Sequence, residues 1–340
     1  MSAAGRGLEG ADGNAGLCSG EPGVVIGLLG PTAVGKSEVA AAIAAALRIR
    51  VISCDSMQVY RGFPVLTNQP SPEDMRGVEH ALVGLLDPLS TFSAAEYAGL
   101  ARGLIRADIG RGGAALLAGG TGLYLRAAVA PLEVAPGDRE VRVRLEERAA
   151  AEGAGALHSD LARLDPAAAA AVDQRNTRRV ARALEAVLVG GNAWSGRDDL
   201  WDPRYDRPTL VVGLTLDRAV LYPRIDARAG RMIREGAVDE VLRFREEYGL
   251  EVTAPGGQGI RSAIGYGEIC RYLSGEIGRE EAAVEMAAAT RRYARRQLTW
   301  LRKLGDAVMI DVQDRDPEDV AREILDLALA KRTAEEPRHR

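Results

Sequence analysis

Val-Val-Ile-Gly-Leu-Leu, residues 24–29, runs directly into Gly-Pro-Thr-Ala-Val-Gly-Lys-Ser, residues 30–37. The first segment is apolar throughout and ends at a Gly-Pro pair, which predicts a buried strand. Apolar residues then recur every four positions, at Val39, Ile43 and Leu47, which predicts a helix over about 36–47. The glycine-rich segment therefore joins a strand to a helix, which is the context in which the pattern G-x-x-x-x-G-K-[ST] binds phosphate.

The chemistry of residues 30–37 suits a phosphate group. Glycines let the backbone approach a ligand closely, and N–H groups at the start of the helix bind phosphate oxygens. Lys36 adds a positive charge for the terminal phosphate, and the Ser37 hydroxyl can bind Mg²⁺. The candidate diphosphate- or nucleotide-binding residues are Gly30, Pro31, Thr32, Ala33, Val34, Gly35, Lys36 and Ser37.

Short apolar segments alternate with helical ones along the rest of the chain. Further strands are predicted near 50–54, 114–118, 209–216 and 307–312, with helices between them. This alternation predicts an α/β fold of the P-loop NTPase type, with a doubly wound parallel sheet. From 132 to 194 the pattern is only helical, which predicts a helical insertion domain in the α/β core.

The domain organisation follows from these changes in pattern. Residues 1–22 are rich in Gly and Ala without apolar periodicity, which predicts a disordered tail. Residues 221–247 are predicted to form one long helix. The predicted boundaries are 23–131 and 195–315 for the core, 279–304 for a basic helix within it, 132–194 for the insertion and 332–340 for a loose tail.

Composition excludes several classes of protein. The 340 residues are 46% hydrophobic with a net charge of −4, which suits a globular chain. No apolar run reaches the roughly 20 residues of a membrane-spanning helix, and the N-terminus lacks the pattern of a signal peptide. Three scattered cysteines and three histidines argue against a disulfide framework or a Cys/His metal centre. We therefore expect a cytoplasmic protein with no membrane association.

A carboxylate follows the second predicted strand. Asp55 stands at the carboxyl end of this strand, which in a doubly wound sheet lies near the phosphate loop. There it can accept a proton from a substrate, although an aspartate that only caps a turn is the alternative. Gln58 carries an amide that can pair with an adenine edge. The strand at 114–118 is not followed by the acidic residue that typically binds Mg²⁺ in NTP-hydrolysing enzymes. This favours a reaction in which diphosphate is the leaving group over one in which a phosphoryl group is transferred.

Several blocks of sequence occur in one order between about residues 24 and 312. After the phosphate loop they are DSMQVY at 55–60, GGTGLY at 119–124, RVARALE at 179–185, LYPRIDAR at 221–228, AIGY at 263–266 and TRRYARRQLTW at 290–300. Together they resemble the tRNA dimethylallyltransferase (tRNA isopentenyltransferase) family. Because the zinc finger of eukaryotic members is absent, the resemblance is to the bacterial type.

The resemblance implies an enzyme that transfers the dimethylallyl group of dimethylallyl diphosphate to N6 of adenosine 37, beside the anticodon of tRNAs that read codons beginning with U. Asp55 would be the general base, while Lys36 and Ser37 would hold the diphosphate with Mg²⁺ as the cofactor. Arg224 or Arg228 would neutralise the leaving diphosphate, and their spacing of four on one helix leaves that choice open. The implied partners are dimethylallyl diphosphate and the tRNA anticodon stem-loop, and the chain is expected to be a monomer.

The resemblance also implies a set of tRNA contacts. Independently of the resemblance, residues 287–304 contain no acidic residue but several arginines. A helix with one basic face is typical of a surface that binds a polyanion such as a nucleic acid. An ordinary solvated face is the alternative, and Tyr293 and Trp300 are predicted to be core residues. The predicted tRNA-binding residues are Asp55, Ser56, Met57, Gln58, Thr121, Arg142, Arg178, Arg179, Arg182, Arg291, Arg292, Arg295 and Arg296.

Three other functions explain part of the sequence. They are a P-loop small-molecule kinase, an adenylate isopentenyltransferase that uses free AMP or ATP, and a non-catalytic RNA-binding protein. The basic helix and the long insertion favour tRNA over free AMP, and the phosphate loop with Asp55 favours an enzyme. Gln69 and Ser262 stand where the family usually has a lysine and an arginine, so the roles of those two cations are open.

Overall fold

The chain forms two compact units, Met1–Pro131 with Pro203–Arg340, and Leu132–Asp202. The computed structural model describes residues 23–131, 138–190, 200–249 and 259–334. The predicted tail 1–22 lies outside these residues. The second unit extends beyond the predicted boundary at 194. Within the described ranges, no helix has the length and apolar character required to span a membrane.

The elements alternate as the sequence predicts. The strands are β1 (Val24–Leu29), β2 (Val51–Ser53), β3 (His80–Ala81), β4 (Ala114–Gly119), β5 (Thr209–Thr215) and β6 (Val308–Asp311). The helices are α1 (Lys36–Leu47), α2 (Pro72–Met75), α3 (Ala94–Gly112), α4 (Gly122–Val129), α5 (Arg139–Glu152), α6 (Ala154–Leu164), α7 (Pro166–Ala171), α8 (Thr177–Gly190), α9 (Arg218–Arg234), α10 (Ala237–Tyr248), α11 (Tyr266–Leu273), α12 (Arg279–Leu301) and α13 (Pro317–Ala334).

The sheet is parallel throughout, in the order β3-β2-β4-β1-β5-β6. This confirms the predicted doubly wound α/β class. Leu29 at the end of β1 lies beside Gly119 of β4, and Ala118 of β4 lies beside Ser53 of β2. The loops that follow β1, β4 and β2 therefore leave the same edge of the sheet next to one another, which is where ligands bind in such folds.

Two apolar cores hold the first unit together. In the first, α1 and α13 cover one face of the sheet, with Ile43 and Ile324 fully buried against β1. In the second, the segment after β2 packs on α9, α10 and α11, and the rings of Phe63 and Phe244 meet edge to face at 5.4 Å. The second core anchors the chain that leaves Asp55.

One predicted helix and one predicted tail boundary differ from the structure. Residues 221–247 do not form one helix: α9 ends at Arg234 and α10 begins at Ala237. Gly236 between them has a φ of 128°, which only glycine adopts readily. The predicted loose tail at 332–340 begins inside α13, where Arg332 is buried, and 335–340 lie outside the described residues. The two-residue strand β3 has too short a pattern to be predicted.

The second unit has its own apolar core, to which α5, α6, α7 and α8 contribute. Glu185 of α8 is fully buried beside it. Its carboxylate accepts hydrogen bonds from Arg142 Nε and Nη2 at 3.1 and 2.9 Å, from Arg182 Nη1 at 2.8 Å and from the Asp138 N–H at 2.8 Å. Burial alone would raise the pKa of Glu185, but the hydrogen bonds of the two guanidinium groups hold it below the usual value.

The cluster around Glu185 changes the interpretation of two predicted tRNA contacts. Arg142 and Arg182 bind the buried carboxylate and keep only about a third of each side chain exposed, at 32% and 34%. Their guanidinium groups therefore hold α5 and α8 together. Arg178 and Arg179, at the start of α8, are exposed.

We expect Glu185→Ala to lower the free energy of unfolding by about 2–4 kcal/mol. Breaking a fully buried pair typically costs about 3–5 kcal/mol, and the partly exposed arginines here can regain some water. The matched control is Glu152→Ala, which breaks the exposed pair of Arg148 and Glu152 at 2.9 Å and is expected to cost less than about 1 kcal/mol. Urea unfolding measures both, and equal losses would contradict a structural role for Glu185.

Candidate active site

The phosphate loop, residues 30–37, has a backbone that depends on particular residues. Gly35 has a φ of 104°, in the left-handed region. A Cβ on Gly30 would lie 2.9 Å from the Leu214 carbonyl oxygen, so a side chain there would collide with β5. Ala33 holds a φ of 67°, which costs a residue with a Cβ about 1 kcal/mol or more. Strain of this kind concentrates at functional sites, which agrees with the predicted role of the loop.

Lys36 folds back onto the phosphate loop. Its Nζ donates to the carbonyl oxygens of Gly30 and Pro31 at 3.0 and 2.8 Å. Burial lowers the pKa of Lys36 to about 8. The charge of Asp55 opposes this shift and the charge of Arg228 adds to it. An anion on the loop would supply the counter-charge that this ammonium group lacks.

Arg228 and Arg224 have different surroundings, although they lie one turn apart on α9. Nη1 of Arg228 donates to the Thr32 hydroxyl oxygen at 3.3 Å, and burial lowers the pKa of its guanidinium group. Arg224 is exposed, and its guanidinium group makes no hydrogen bond or ion pair with the residues that the structure describes. Of the two predicted candidates, Arg228 is the one that reaches the phosphate loop.

Ser37 is the residue on the loop that suits a metal ion. It is exposed near the N-terminus of α1, next to Lys36. No group of three or more His, Cys, Asp or Glu side chains in the described part of the chain could hold a metal by itself. A single hydroxyl fits Mg²⁺, which keeps several waters and takes its other ligands from substrate phosphates.

Asp55 follows β2 and uses one carboxylate oxygen to shape its own loop. Oδ1 accepts the N–H groups of Met57 and Gln58 at 2.9 and 3.4 Å. Oδ2 accepts no hydrogen bond from the described residues, so it is available to a substrate. Asp55 therefore caps a turn with one carboxylate oxygen and keeps the other free. The two predicted roles, turn cap and proton acceptor, are compatible.

Thr121 ties the loop after β4 to the Asp55 loop. Its Oγ1 accepts the Ser56 N–H at 3.1 Å, and its N–H donates to the Cys54 carbonyl at 3.0 Å. A Cβ on Gly119 would lie 2.1 Å from that carbonyl oxygen, so the two loops meet only because residue 119 is glycine. The predicted pair Asp55 and Thr121 is thus brought together at the site.

Both polar atoms of the Gln58 side chain form hydrogen bonds within the protein. Its Oε1 accepts the Ser53 hydroxyl at 3.0 Å and its Nε2 donates to the Asn68 carbonyl at 2.7 Å. Both ends of the amide hold the loop between β2 and residue 68. The geometry favours this supporting role over the predicted pairing with an adenine edge.

One face of α12 lines the site, which the sequence reasoning missed. Burial raises the pKa of the Tyr293 phenol and the neighbouring Asp55 raises it further, so both groups lie in one environment. Gln297 bonds to the phosphate loop, and the Trp300 ring would lie 2.0 Å from a Cβ on Gly122. The spacing of i, i+4 and i+7 from Tyr293 to Gln297 and Trp300 is the signal that places them on one face. The sequence alone predicts Tyr293 and Trp300 as core residues and gives Gln297 no role.

A second face of α12 is basic and exposed. The guanidinium groups of Arg292, Arg295 and Arg302 make no hydrogen bond or ion pair within the described ranges, and that of Arg296 lies over the Tyr293 ring at 5.6 Å. Arg291 differs from these residues, because its guanidinium group forms an ion pair with Asp226 of α9. The exposed set is therefore Arg292, Arg295, Arg296 and Arg302.

Known proteins resemble the chain over most of its length. A family model described as IPP transferase matches residues 58–304, and one described as isopentenyl transferase matches residues 24–84. The tRNA dimethylallyltransferase of Bacillus velezensis is 41% identical over 280 residues, covering 82% of this chain and 87% of that protein. The tRNA dimethylallyltransferase of Geobacter sulfurreducens is 43% identical over 279 residues, covering 81% and 87%.

Solved structures agree with these matches. The tRNA isopentenylpyrophosphate transferase of Bacillus halodurans has 36% identity and a TM-score of 0.66, covering 91% of this chain and 97% of that one. A eukaryotic dimethylallyltransferase shares the fold at 23% identity, with a TM-score of 0.69 and coverage of 86% and 74%. Sequence and fold thus agree along most of the chain, which belongs to the IPP transferase family, the family of the tRNA dimethylallyltransferases.

Proposed function

We propose that the protein transfers the dimethylallyl group of dimethylallyl diphosphate to N6 of adenosine 37, in tRNAs that read codons beginning with U. The observation that carries this proposal is the shared site of Lys36, Arg228 and Asp55. Two cations stand at the phosphate loop, and a carboxylate with a free oxygen follows β2, which lies two strands from β1 in the sheet. A leaving diphosphate and an amine acceptor need this combination.

The reaction requires little covalent chemistry from the protein. An allylic diphosphate ionises readily because the cation is delocalised. The C–O bond to diphosphate breaks, the C–N bond to N6 forms, and the N6 proton passes to Oδ2 of Asp55. Lys36 and Arg228 stabilise the negative charge on the departing diphosphate. Mg²⁺, held through Ser37, would neutralise part of that charge.

Other proposed properties follow from the same groups. The basic face of α12 suits a polyanion such as the tRNA anticodon stem-loop, and the eukaryotic neighbour is described as acting on tRNA. All the groups used above come from one chain, so we propose a monomer. Cys54 and Cys270 are free buried thiols, which fits a reducing compartment such as the cytoplasm.

The acceptor is tested directly with labelled dimethylallyl diphosphate. We expect label to enter unmodified tRNA and to be lost when adenosine 37 is replaced by guanosine. AMP is offered to the same preparation as the competing acceptor. Label found in AMP and not in tRNA would overturn the proposal in favour of an adenylate isopentenyltransferase.

We expect Asp55→Asn to lower kcat for transfer by roughly 10²–10⁴-fold, the usual contribution of a general base. The amide keeps an oxygen for the N–H groups of Met57 and Gln58, so the loop is retained and the Kd for tRNA should stay within a few-fold. Single-turnover kinetics measure the rate. Asp326→Asn, at an exposed position on α13, is the control, and near-normal turnover of the Asp55 variant would refute the assignment.

The affinity for dimethylallyl diphosphate should fall as pH rises through about 8. The pKa of Lys36 lies near that value, so the group is an ammonium below it and a neutral amine above it. The loss should approach about tenfold per pH unit. Lys36→Arg keeps its charge, so the variant should bind more weakly but with a flatter pH profile. Titration calorimetry without tRNA measures both, and an equally steep decline in the variant would assign the titration to another group.

Replacing Arg292, Arg295 and Arg302 together by Gln should weaken tRNA binding and flatten its salt dependence. Each lost phosphate contact lowers the slope of log K against log salt by about 0.7–0.9. The binding of dimethylallyl diphosphate should not change. Arg291→Gln is the matched control, because its guanidinium group is paired with Asp226. A triple variant with the wild-type slope would contradict the role of this face.

A further inference from the structure

Gln297 joins two loops that are far apart in the sequence. Its Oε1 accepts the Thr32 N–H of the phosphate loop at 3.0 Å, and its Nε2 donates to the Gly120 carbonyl at 3.0 Å. The side chain is 9% exposed, so these bonds are largely shielded from water. One amide therefore sets the spacing between the phosphate loop and the loop after β4.

The chemistry of this position suits glutamine. The Thr32 N–H can only donate and the Gly120 carbonyl can only accept, which fixes the orientation of the amide. A glutamate would place an acceptor against the Gly120 carbonyl. An asparagine is one methylene too short to reach both partners. A methionine keeps the length and loses both hydrogen bonds.

Gly120 leaves room for the amide. A Cβ at this position would lie 2.1 Å from Nε2 of Gln297 and 3.8 Å from Oδ2 of Asp55. The bridge therefore ends close to the free carboxylate oxygen. At its other end, the Thr32 hydroxyl accepts from Arg228. Hydrogen bonds thus lead from Gly120, which lies near Asp55, through Gln297 and Thr32 to Arg228.

We infer that Gln297 is a positioning residue, which holds the acceptor amine beside the reactive carbon by fixing the distance between the two loops. This inference rests on the proposed dimethylallyl transfer. Gln297 touches neither reacting atom and acts through Thr32 and Gly120. Its loss loosens the alignment of the two substrates while the groups that bind each of them remain.

Misalignment has a specific chemical consequence. Ionisation of dimethylallyl diphosphate still breaks the C–O bond, because Lys36 and Arg228 are in place. If N6 is not aligned, water attacks the allylic carbon, a proton goes to solvent, and the products are dimethylallyl alcohol and diphosphate. The ratio of alcohol to prenylated tRNA therefore reports on positioning, which a purely structural role would not change.

The experiment measures both products from labelled dimethylallyl diphosphate and tRNA with Gln297→Met. We expect kcat for transfer to fall roughly 10–100-fold, the cost of a displacement of about 1 Å, with the ratio of alcohol to prenylated tRNA clearly raised and KM for both substrates within a few-fold. Both products come from the same folded molecules, so partial unfolding does not alter the ratio. Thr299→Ala, exposed on the same helix, is the control and should behave as wild type.

A second variant reaches the same contact from the other side. Gly120→Ala places a methyl group where the amide lies, so it should raise the ratio as Gln297→Met does. In Gln297→Ala the space taken by the amide is vacated, so the double variant Gly120→Ala/Gln297→Ala should be no worse than Gln297→Ala alone. Unchanged ratios in the variants, or additive effects in the double variant, would overturn the inference. A wild-type protein that transfers no label would instead refute the proposed function.

Discussion

The parallel pairing of β2, β4 and β1 is the constraint on which the site depends. Leu29 and Gly119 are neighbours in this register, as are Ala118 and Ser53. The chain therefore leaves the sheet at three adjacent points, which carry the phosphate loop, the glycine-rich loop after β4 and Asp55. A shift of one residue would turn every side chain of a strand to the other face and would displace these three loops from one another.

The two partly buried cations at this edge of the sheet, Lys36 and Arg228, favour the binding of an anion. Burial lowers the pKa of both Lys36 and Arg228, which means that each is less stable as a cation here than in water. The Lys36 ammonium group donates to two carbonyl oxygens of the loop, which are weaker partners than a negative charge. The proposed diphosphate would be a stronger partner for both cations than these oxygen atoms, and the same two charges would stabilise it as a leaving group.

The sequence predicted those parts of the site that depend on local pattern. β1 and α1 have the predicted bounds, and Asp55 lies where a strand-end acid was expected. The pairing of Arg291 with Asp226 and the bridge from Gln297 to Thr32 join residues separated by 65 and 265 positions. Such contacts depend on how helices pack, which periodicity along one segment does not encode. The buried carboxylate of Glu185 was missed for the same reason: nothing in its own helix marks it as the partner of Arg142.

On helix α12, the exposed arginines and the residues that line the site lie on different faces. At about 100° per residue, Tyr293, Gln297 and Trp300 form one face, and Ala294, Leu298 and Leu301 form the adjoining apolar face. The exposed arginines occupy the remaining side. Since Leu301 packs against β5 and Trp300 against Gly122, the rotation of the helix is fixed by the core. If the arginines bind phosphate as proposed, they can do so without moving the amide that bridges the two loops, and changes on one face need not disturb the other.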